Sequence, residues 1–226
     1  MVHMVRHGEV YNPEKILYGR APGFRLSDRG TRMAEAAGEY LSKLSAERPI
    51  THMVSSPLER AAQTAAAISQ RLDLQFTTDE RLLESQNIFA GRKLRRRDLF
   101  ANAHRLYNPF RPSWDEAYAS VAARMAEAVR SARQAAAGAA AVLVSHQLPI
   151  WIVRRHLSGL RLWHSPSRRQ CALGSVTSFT FGSDEDSDGI LTAIDYHVPA
   201  PDLVAAALVE DRAAGVMSAR AKPVAR

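Results

Sequence analysis

Met1-Val2-His3-Met4-Val5-Arg6-His7-Gly8 is the stretch that decides how the chain folds. Val2, Met4 and Val5 make a short apolar run of the kind that forms a strand buried in a sheet, and Gly8 lets the backbone turn sharply where that strand ends. Open α/β sheets hold their ligands at the carboxyl edge of their strands. Arg6 and His7 therefore stand where a cation and an imidazole face a small anion better than they face a core. As a bare string Arg-His-Gly recurs by chance in many proteins, and a surface Arg-His pair is the plainer alternative. The weight falls on whether later stretches answer it.

Two do. His52-Met53-Val54-Ser55 is a second apolar run, Ser56-Pro57 begins a helix with Pro at its first position, and Arg60 falls in that helix's first turn. If the two strands are neighbours, Arg6 and Arg60 can converge on one phosphate, whose geometry suits the donor fork of a guanidinium and the positive end of a helix. A salt bridge to Glu59 or Glu35 is the other reading of Arg60. Ala141-Val142-Leu143-Val144 is the most strand-like run in the chain, and Ser145-His146-Gln147-Leu148-Pro149 leads from it into a helix over Ile150 to Leu157. His146 thus repeats the placement of His7 and Arg60.

The rest of the chain fits around these edges. Glu9 to Arg25 is a loop broken by Asn12-Pro13, Gly19, Pro22 and Gly23. Ser27 reads as the N-cap of a helix that buries Met33, Ala37, Tyr40, Leu41 and Leu44. Leu74 to Thr77 reads as a third strand, a helix runs from about Asp115 to Ala137, and Ser175 to Phe181 and Ile190 to Tyr196 read as a hairpin joined by the acidic loop Asp184 to Asp188. Trp114 and Tyr118 read as core aromatics. Arg92-Lys93-Leu94-Arg95-Arg96-Arg97 reads as a solvated basic face that could also collect an acidic substrate. The fold class expected is α/β, a three-layer sandwich with a mostly parallel central sheet and helices on both faces. One domain spans 1–199, and 200–226 is an Ala-rich extension with a short helix at Leu203 to Asp211 and a frayed tail.

Composition bounds the function. A chain of 226 residues with 46% hydrophobic content has length for one packed domain. The formal charge of +7 favours anionic partners, among them phosphorylated metabolites, nucleic acid and anionic lipid. Cys171 is the single cysteine, which excludes an internal disulfide and Cys-rich metal sites and makes a reducing cytoplasm the expected setting. No leader precedes the first strand and no apolar run approaches the roughly 18 residues of a membrane span, so no membrane partner is expected. Oligomeric state is left open.

With Arg6-His7-Gly8, Arg60 and His146 each at a strand end, the chain resembles the histidine phosphatase superfamily, also called phosphoglycerate mutase-like, over residues 1 to 198. Ser55-Ser56-Pro57-Leu58-Glu59-Arg60-Ala61-Ala62-Gln63-Thr64-Ala65 resembles that family's second motif and is the most specific part of the match. The resemblance implies a two-step transfer through a phosphohistidine on His7, with Arg6, Arg60 and His146 around the phosphoryl oxygens and neither metal nor organic cofactor. The leaving alkoxide needs a proton, and the family places a carboxylic acid shortly after the third strand. Glu84 in Leu82-Leu83-Glu84 matches that position. The continuation Ser85-Gln86-Asn87-Ile88-Phe89-Ala90-Gly91 departs from the family pattern, with Ala90 where Glu is common, and leaves Asp79, Glu80 and Glu9 as alternatives. Asn12, Gly19 beside Tyr18, and the backbone of Gln147 align with positions that contact phosphate. His3, His52, His104, His156, His164 and His197 read as structural or surface histidines.

Mutases of the family usually carry Gly-Asn after the second histidine, where this chain has Gln147-Leu148-Pro149. The expectation is therefore a phosphomonoester hydrolase acting on a small phosphorylated metabolite. Phosphoglycerate mutase is the runner-up, and a binding protein on the same scaffold is the alternative from another class. Nucleic-acid binding through Arg92 to Arg97 is not expected, because interleaved aromatics and a reader motif are both missing.

Overall fold

The computed structural model describes residues 1–87, 90–91, 116–182 and 189–213. In order, the elements are β1 (Val2–Arg6), α1 (Asp28–Glu47), β2 (Ile50–Ser55), α2 (Glu59–Leu72), β3 (Thr77–Thr78), α3 (Tyr118–Ala135), β4 (Ala140–Ser145), α4 (Gln147–Leu157), β5 (Val176–Phe181), β6 (Leu191–His197) and α5 (Pro201–Ala213). Short 3-10 turns occupy Glu80–Leu82 and Pro166–Arg168.

β1 and β4 are apolar along nearly their whole length because both of their faces are covered. Val5, Val142 and Val144 face Ala37 and Leu41 of α1 and Ala61, Ala65 and Ile68 of α2. Val2, Met4 and Leu143 face Met125 and Val129 of α3 and Ile150 and Val153 of α4. Each of the larger of these side chains contributes about 1.5–3 kcal/mol by leaving water. The result is an α/β three-layer sandwich.

The six strands lie in the order β3-β2-β4-β1-β5-β6. β3, β2, β4 and β1 are mutually parallel, and β5 pairs antiparallel with β1 and β6. β1 and β2 are not neighbours, as the reading of the two arginines supposed; β4 lies between them. That order brings the site together. At the carboxyl end of β4, Val144 O accepts from Ser56 N at 2.9 Å and Ser145 O from His7 N at 3.1 Å, so the chain leaving β2 and the chain leaving β1 are tied to one strand end.

Several boundaries differ from the sequence reading. α2 begins at Glu59 with Leu58 as its cap, so Pro57 precedes the helix instead of opening it. The third strand is Thr77–Thr78; Leu74 and Phe76 pack on the core without joining the ladder. α4 starts at Gln147, with Pro149 inside its first turn, where a missing N–H costs nothing. α1 is capped as expected, Ser27 accepting from Gly30 N at 3.0 Å. α5 is longer than Leu203 to Asp211, and its Val204 and Ala207 are buried against Met33 and Ala172. Arg29 joins it to the body, donating to Glu210 Oε2 at 2.7 Å and to Glu9 Oε1 at 2.6 Å. The basic run Arg92 to Arg97, the stretch around Trp114, the loop Asp184 to Asp188 and the tail after Ala213 lie outside the described residues. Among the described residues no helix is long and apolar enough to cross a membrane.

Candidate active site

The three strand ends that sequence singled out do converge. The imidazole centroids of His7 and His146 are 5.1 Å apart. Arg60, in the first turn of α2, donates from Nε to His7 Nε2 at 3.3 Å and from Nη2 to Gly19 O at 2.7 Å, and its Cζ lies 4.7 Å from the centre of the Tyr18 ring. Arg6, at the end of β1, donates from Nη1 to Cys171 O at 2.7 Å. Its charge is felt by His7, His146 and Arg60 alike.

Two features of this cluster are chemically telling. The first is buried cationic charge. Arg60 is 1% exposed, yet among the described residues neither it nor Arg6 has a carboxylate at ion-pair distance. A guanidinium does not lose its proton, so burial without a counter-ion is costly and an anion arriving there is strongly favoured. Arg6 Nε and His146 Nδ1 are buried and make no hydrogen bond among the described residues. The second is the state of His7. Burial, then the charges of Arg60 and Arg6, hold its pKa well below the ordinary value, so the ring is neutral at neutral pH. Nδ1 lies 2.7 Å from Gly8 O, an acceptor, so the ring proton sits on Nδ1 and the lone pair on Nε2, the atom facing Arg60.

The same fold occurs in known proteins. The family model described as histidine phosphatase superfamily (branch 1) matches residues 2–187. The chain belongs to this superfamily. It is similar to Rv0525 of Mycobacterium tuberculosis, 50% identical over 187 residues that cover 81% of this chain and 91% of the relative. Fructose-2,6-bisphosphatase TIGAR of Xenopus laevis is 43% identical over 86 residues, 36% of this chain and 30% of TIGAR. Among solved structures, mycobacterial glucosyl-3-phosphoglycerate phosphatase Rv2419c in complex with VO3 superposes with a TM-score of 0.67 at 26% identity, covering 87% of this chain and 96% of that one.

Within this histidine phosphatase fold the carboxylates sort by what already holds them. Glu9 accepts from Ser27 Oγ at 2.6 Å and from both Nε and Nη2 of Arg29, which commits it to the α1 cap. Asp79 is gripped by Arg81 through Nε, Nη2 and the backbone N–H. Burial pushes its pKa up, and those bonds outweigh burial and bring it below the ordinary value. Among the described residues Glu84 Oε1 accepts only a neighbouring backbone N–H, that of Ser85 at 2.9 Å, and its charge reaches Arg60. Asn12 turns its carboxamide to its own loop, donating to Ile16 O and accepting from Ile16 N. Gly19 presents its carbonyl to Arg60, in a left-handed conformation (φ 47°) that favours glycine. Gln147 directs Nε2 to Cys171 O at 3.3 Å.

Four supporting residues were given no part in the site from sequence, although Ser56 and Thr64 lie within the second motif. Ser56 Oγ lies 2.8 Å from His146 Nε2, and Thr64 Oγ1 accepts from Gly8 N at 3.1 Å while donating to Arg60 O. Cys171 serves through its carbonyl, which any residue type offers; burial pushes its thiol up to about 11, so it is no nucleophile. Arg20 donates to Glu84 O at 2.5 Å.

Proposed function

We propose that the chain is a phosphomonoester hydrolase that works through a phosphohistidine on His7 and takes a small phosphorylated metabolite. The observation that carries this reading is a buried guanidinium with no carboxylate partner among the described residues, beside a neutral imidazole whose lone pair is on Nε2. Arg6, Arg60 and Nδ1 of His146 receive the phosphoryl oxygens and stabilise their charge where it grows, with no reorganisation at the moment of reaction. Nε2 of His7 attacks phosphorus; the N–P bond forms as the ester P–O bond breaks, and the departing oxygen takes the proton of Glu84. Water then gives a proton to the Glu84 carboxylate, bonds to phosphorus and releases both inorganic phosphate and the imidazole.

Rapid mixing with p-nitrophenyl phosphate tests the scheme. We expect a burst of p-nitrophenolate, an acid-labile phosphoryl group on His7 detected by mass spectrometry of the quenched protein, and unchanged turnover in the presence of a chelator. His7→Ala is expected to lower kcat/KM by about a thousandfold or more, the scale seen on losing a nucleophile. Three outcomes overturn the reading: activity kept by His7→Ala, phosphoryl transfer between sugar or glycerate positions without phosphate release, or phosphate binding with no phosphorylated His7. The second identifies a mutase and the third a binding protein.

A further inference from the structure

The carboxylate given to the leaving group sits on a segment that belongs to no strand. From the 3-10 turn to Gln86, that backbone is held from outside by groups on four separate parts of the fold. Arg81 O accepts from Arg124 Nη1 of α3 at 2.5 Å, and Leu82 O from Ser145 Oγ at the end of β4 at 2.8 Å. Glu84 O accepts from Arg20 Nε in the loop after β1 at 2.5 Å, and Gln86 O from the backbone N–H of Glu116 at 3.3 Å. Two of the four grips are guanidiniums, and one carboxylate joins them. Glu116 Oε2 accepts from Arg20 Nη2 at 3.1 Å and from Arg124 Nη2 at 3.0 Å, and its Oε1 accepts from Arg124 Nε at 2.8 Å. The three side chains are 30%, 15% and 16% exposed for Arg20, Glu116 and Arg124. The charge of Arg124 is also the smallest of those that lower the pKa of His146.

We propose that Glu116 is a positioning residue for the proton donor: by locking Arg20 and Arg124 in their forked geometry it fixes the backbone at Arg81 and at Glu84 itself, and so fixes where the Glu84 carboxyl meets the leaving oxygen. The proposal rests on the reading of Glu84 as the proton donor. A donor must stand within hydrogen-bond reach of the oxygen it protonates, and a displacement of about 1 Å costs on the order of a hundredfold. A strand would supply that precision through its ladder; here side chains supply it. Arginine suits the task because its planar fork holds a carboxylate and a carbonyl at once. Glu116 is not itself the donor, since both of its oxygens are engaged in accepting from the guanidiniums of Arg20 and Arg124.

Leaving-group dependence tests this, because p-nitrophenolate departs without a proton whereas an alkoxide does not. In Glu116→Gln and in Arg20→Ala we expect kcat/KM for an alkyl phosphomonoester, β-glycerophosphate, to fall by about tenfold or more, and that for p-nitrophenyl phosphate by less than about threefold. Placed on Glu84→Gln, either change is expected to cost almost nothing further on the alkyl ester, the coupling that a shared role requires. Equal losses on both esters mean that Glu116 only supports the fold, and they overturn the proposal. So do undiminished losses in the Glu84→Gln background. Arg20 is on a partly exposed loop, so its variant keeps the test available should Glu116→Gln fail to fold. Glu84→Gln alone checks the underlying reading: if it slows both esters equally, the proton-donor assignment falls, whatever the Glu116 variant does.

Discussion

At the scale of single residues, the tautomer of His146 follows from a serine. Ser56 Oγ lies 3.4 Å from Leu58 N, which can only donate, and 2.8 Å from His146 Nε2. Leu58 N–H takes one of the two lone pairs of the hydroxyl, and among the described residues His146 Nε2 is the acceptor within reach of the hydroxyl proton, so the hydroxyl donates to Nε2. Burial, then the nearby charges of Arg60 and Arg6, keep His146 well below its ordinary pKa and neutral, so its one ring proton resides on Nδ1. That nitrogen is buried and lacks a partner among the described residues, which makes it a donor waiting for an acceptor such as a phosphoryl oxygen. Ser56→Ala frees Nε2 to take the proton instead and turns a donor into an acceptor. The loss of one hydrogen bond of about 1–1.5 kcal/mol corresponds to about tenfold in kcat, with KM changing less and Ser56→Thr restoring part of the loss. The imidazole 15N shifts of His146 report the tautomer directly. An unchanged pattern in Ser56→Ala would mean that some other group sets it.

At the scale of elements, α1 and the chain leaving β1 are in backbone contact. A Cβ on Gly30 would stand 2.0 Å from Glu9 O, and one on Gly8 would stand 2.3 Å from Gly30 O. Helix propensity alone makes Gly30→Ala stabilising by about 1 kcal/mol. The contact reverses the sign: the clash is with backbone, which must move, so we expect about 1–3 kcal/mol of destabilisation in urea unfolding and a loss of turnover as His7 is displaced. A stabilised, fully active Gly30→Ala would refute the close approach. Gly8 also shows what sequence could and could not reveal. The need for glycine after β1 was legible, but the reason is proximity to α1, not a positive φ. β1, β2 and β4 were legible because strands covered on both faces are written as apolar runs, and Arg6, His7, Arg60 and His146 were legible because each follows such a run. The strand order was not, since nothing local tells β1 that β4 separates it from β2. Leu74 to Phe76 imitates a strand because its apolar side chains cover the core edge without ladder bonds. Ser56 reaches His146, and Arg20 reaches Glu84 and Glu116, across tens of residues, and no periodicity encodes that.

At the scale of the whole molecule, the chemistry and the acid stability draw on the same property, imidazoles kept neutral inside the fold. Burial, then the N-terminal amine and Arg48, lowers His3 to about 4; burial also lowers His164 to about 4, and His7 and His146 lie well below the ordinary 6.5. In the unfolded chain each takes a proton near pH 6.5. Below that pH the unfolded state therefore binds more protons than the folded state, and stability must fall as pH falls. For His3 the window runs from 6.5 to about 4 and amounts to roughly 3 kcal/mol. Asp79 acts in a separate window: held below its ordinary 3.8 by Arg81 despite burial, it contributes stability that is lost only as pH drops below about 4. Urea unfolding should therefore show a free energy that falls between pH 6 and pH 5 with a slope of two to four protons, about 3–5 kcal/mol per pH unit. His3→Gln keeps a hydrogen-bonding group near Ser178 Oγ, which lies 2.8 Å from His3 Nδ1, and removes one titrating ring, so its slope should be smaller by about one proton. A flat profile across that interval would mean the buried rings titrate in the folded state as they do in water. His7 would then be largely protonated at mildly acidic pH, and the acid limb of kcat/KM would break near 6.5 instead of continuing below it.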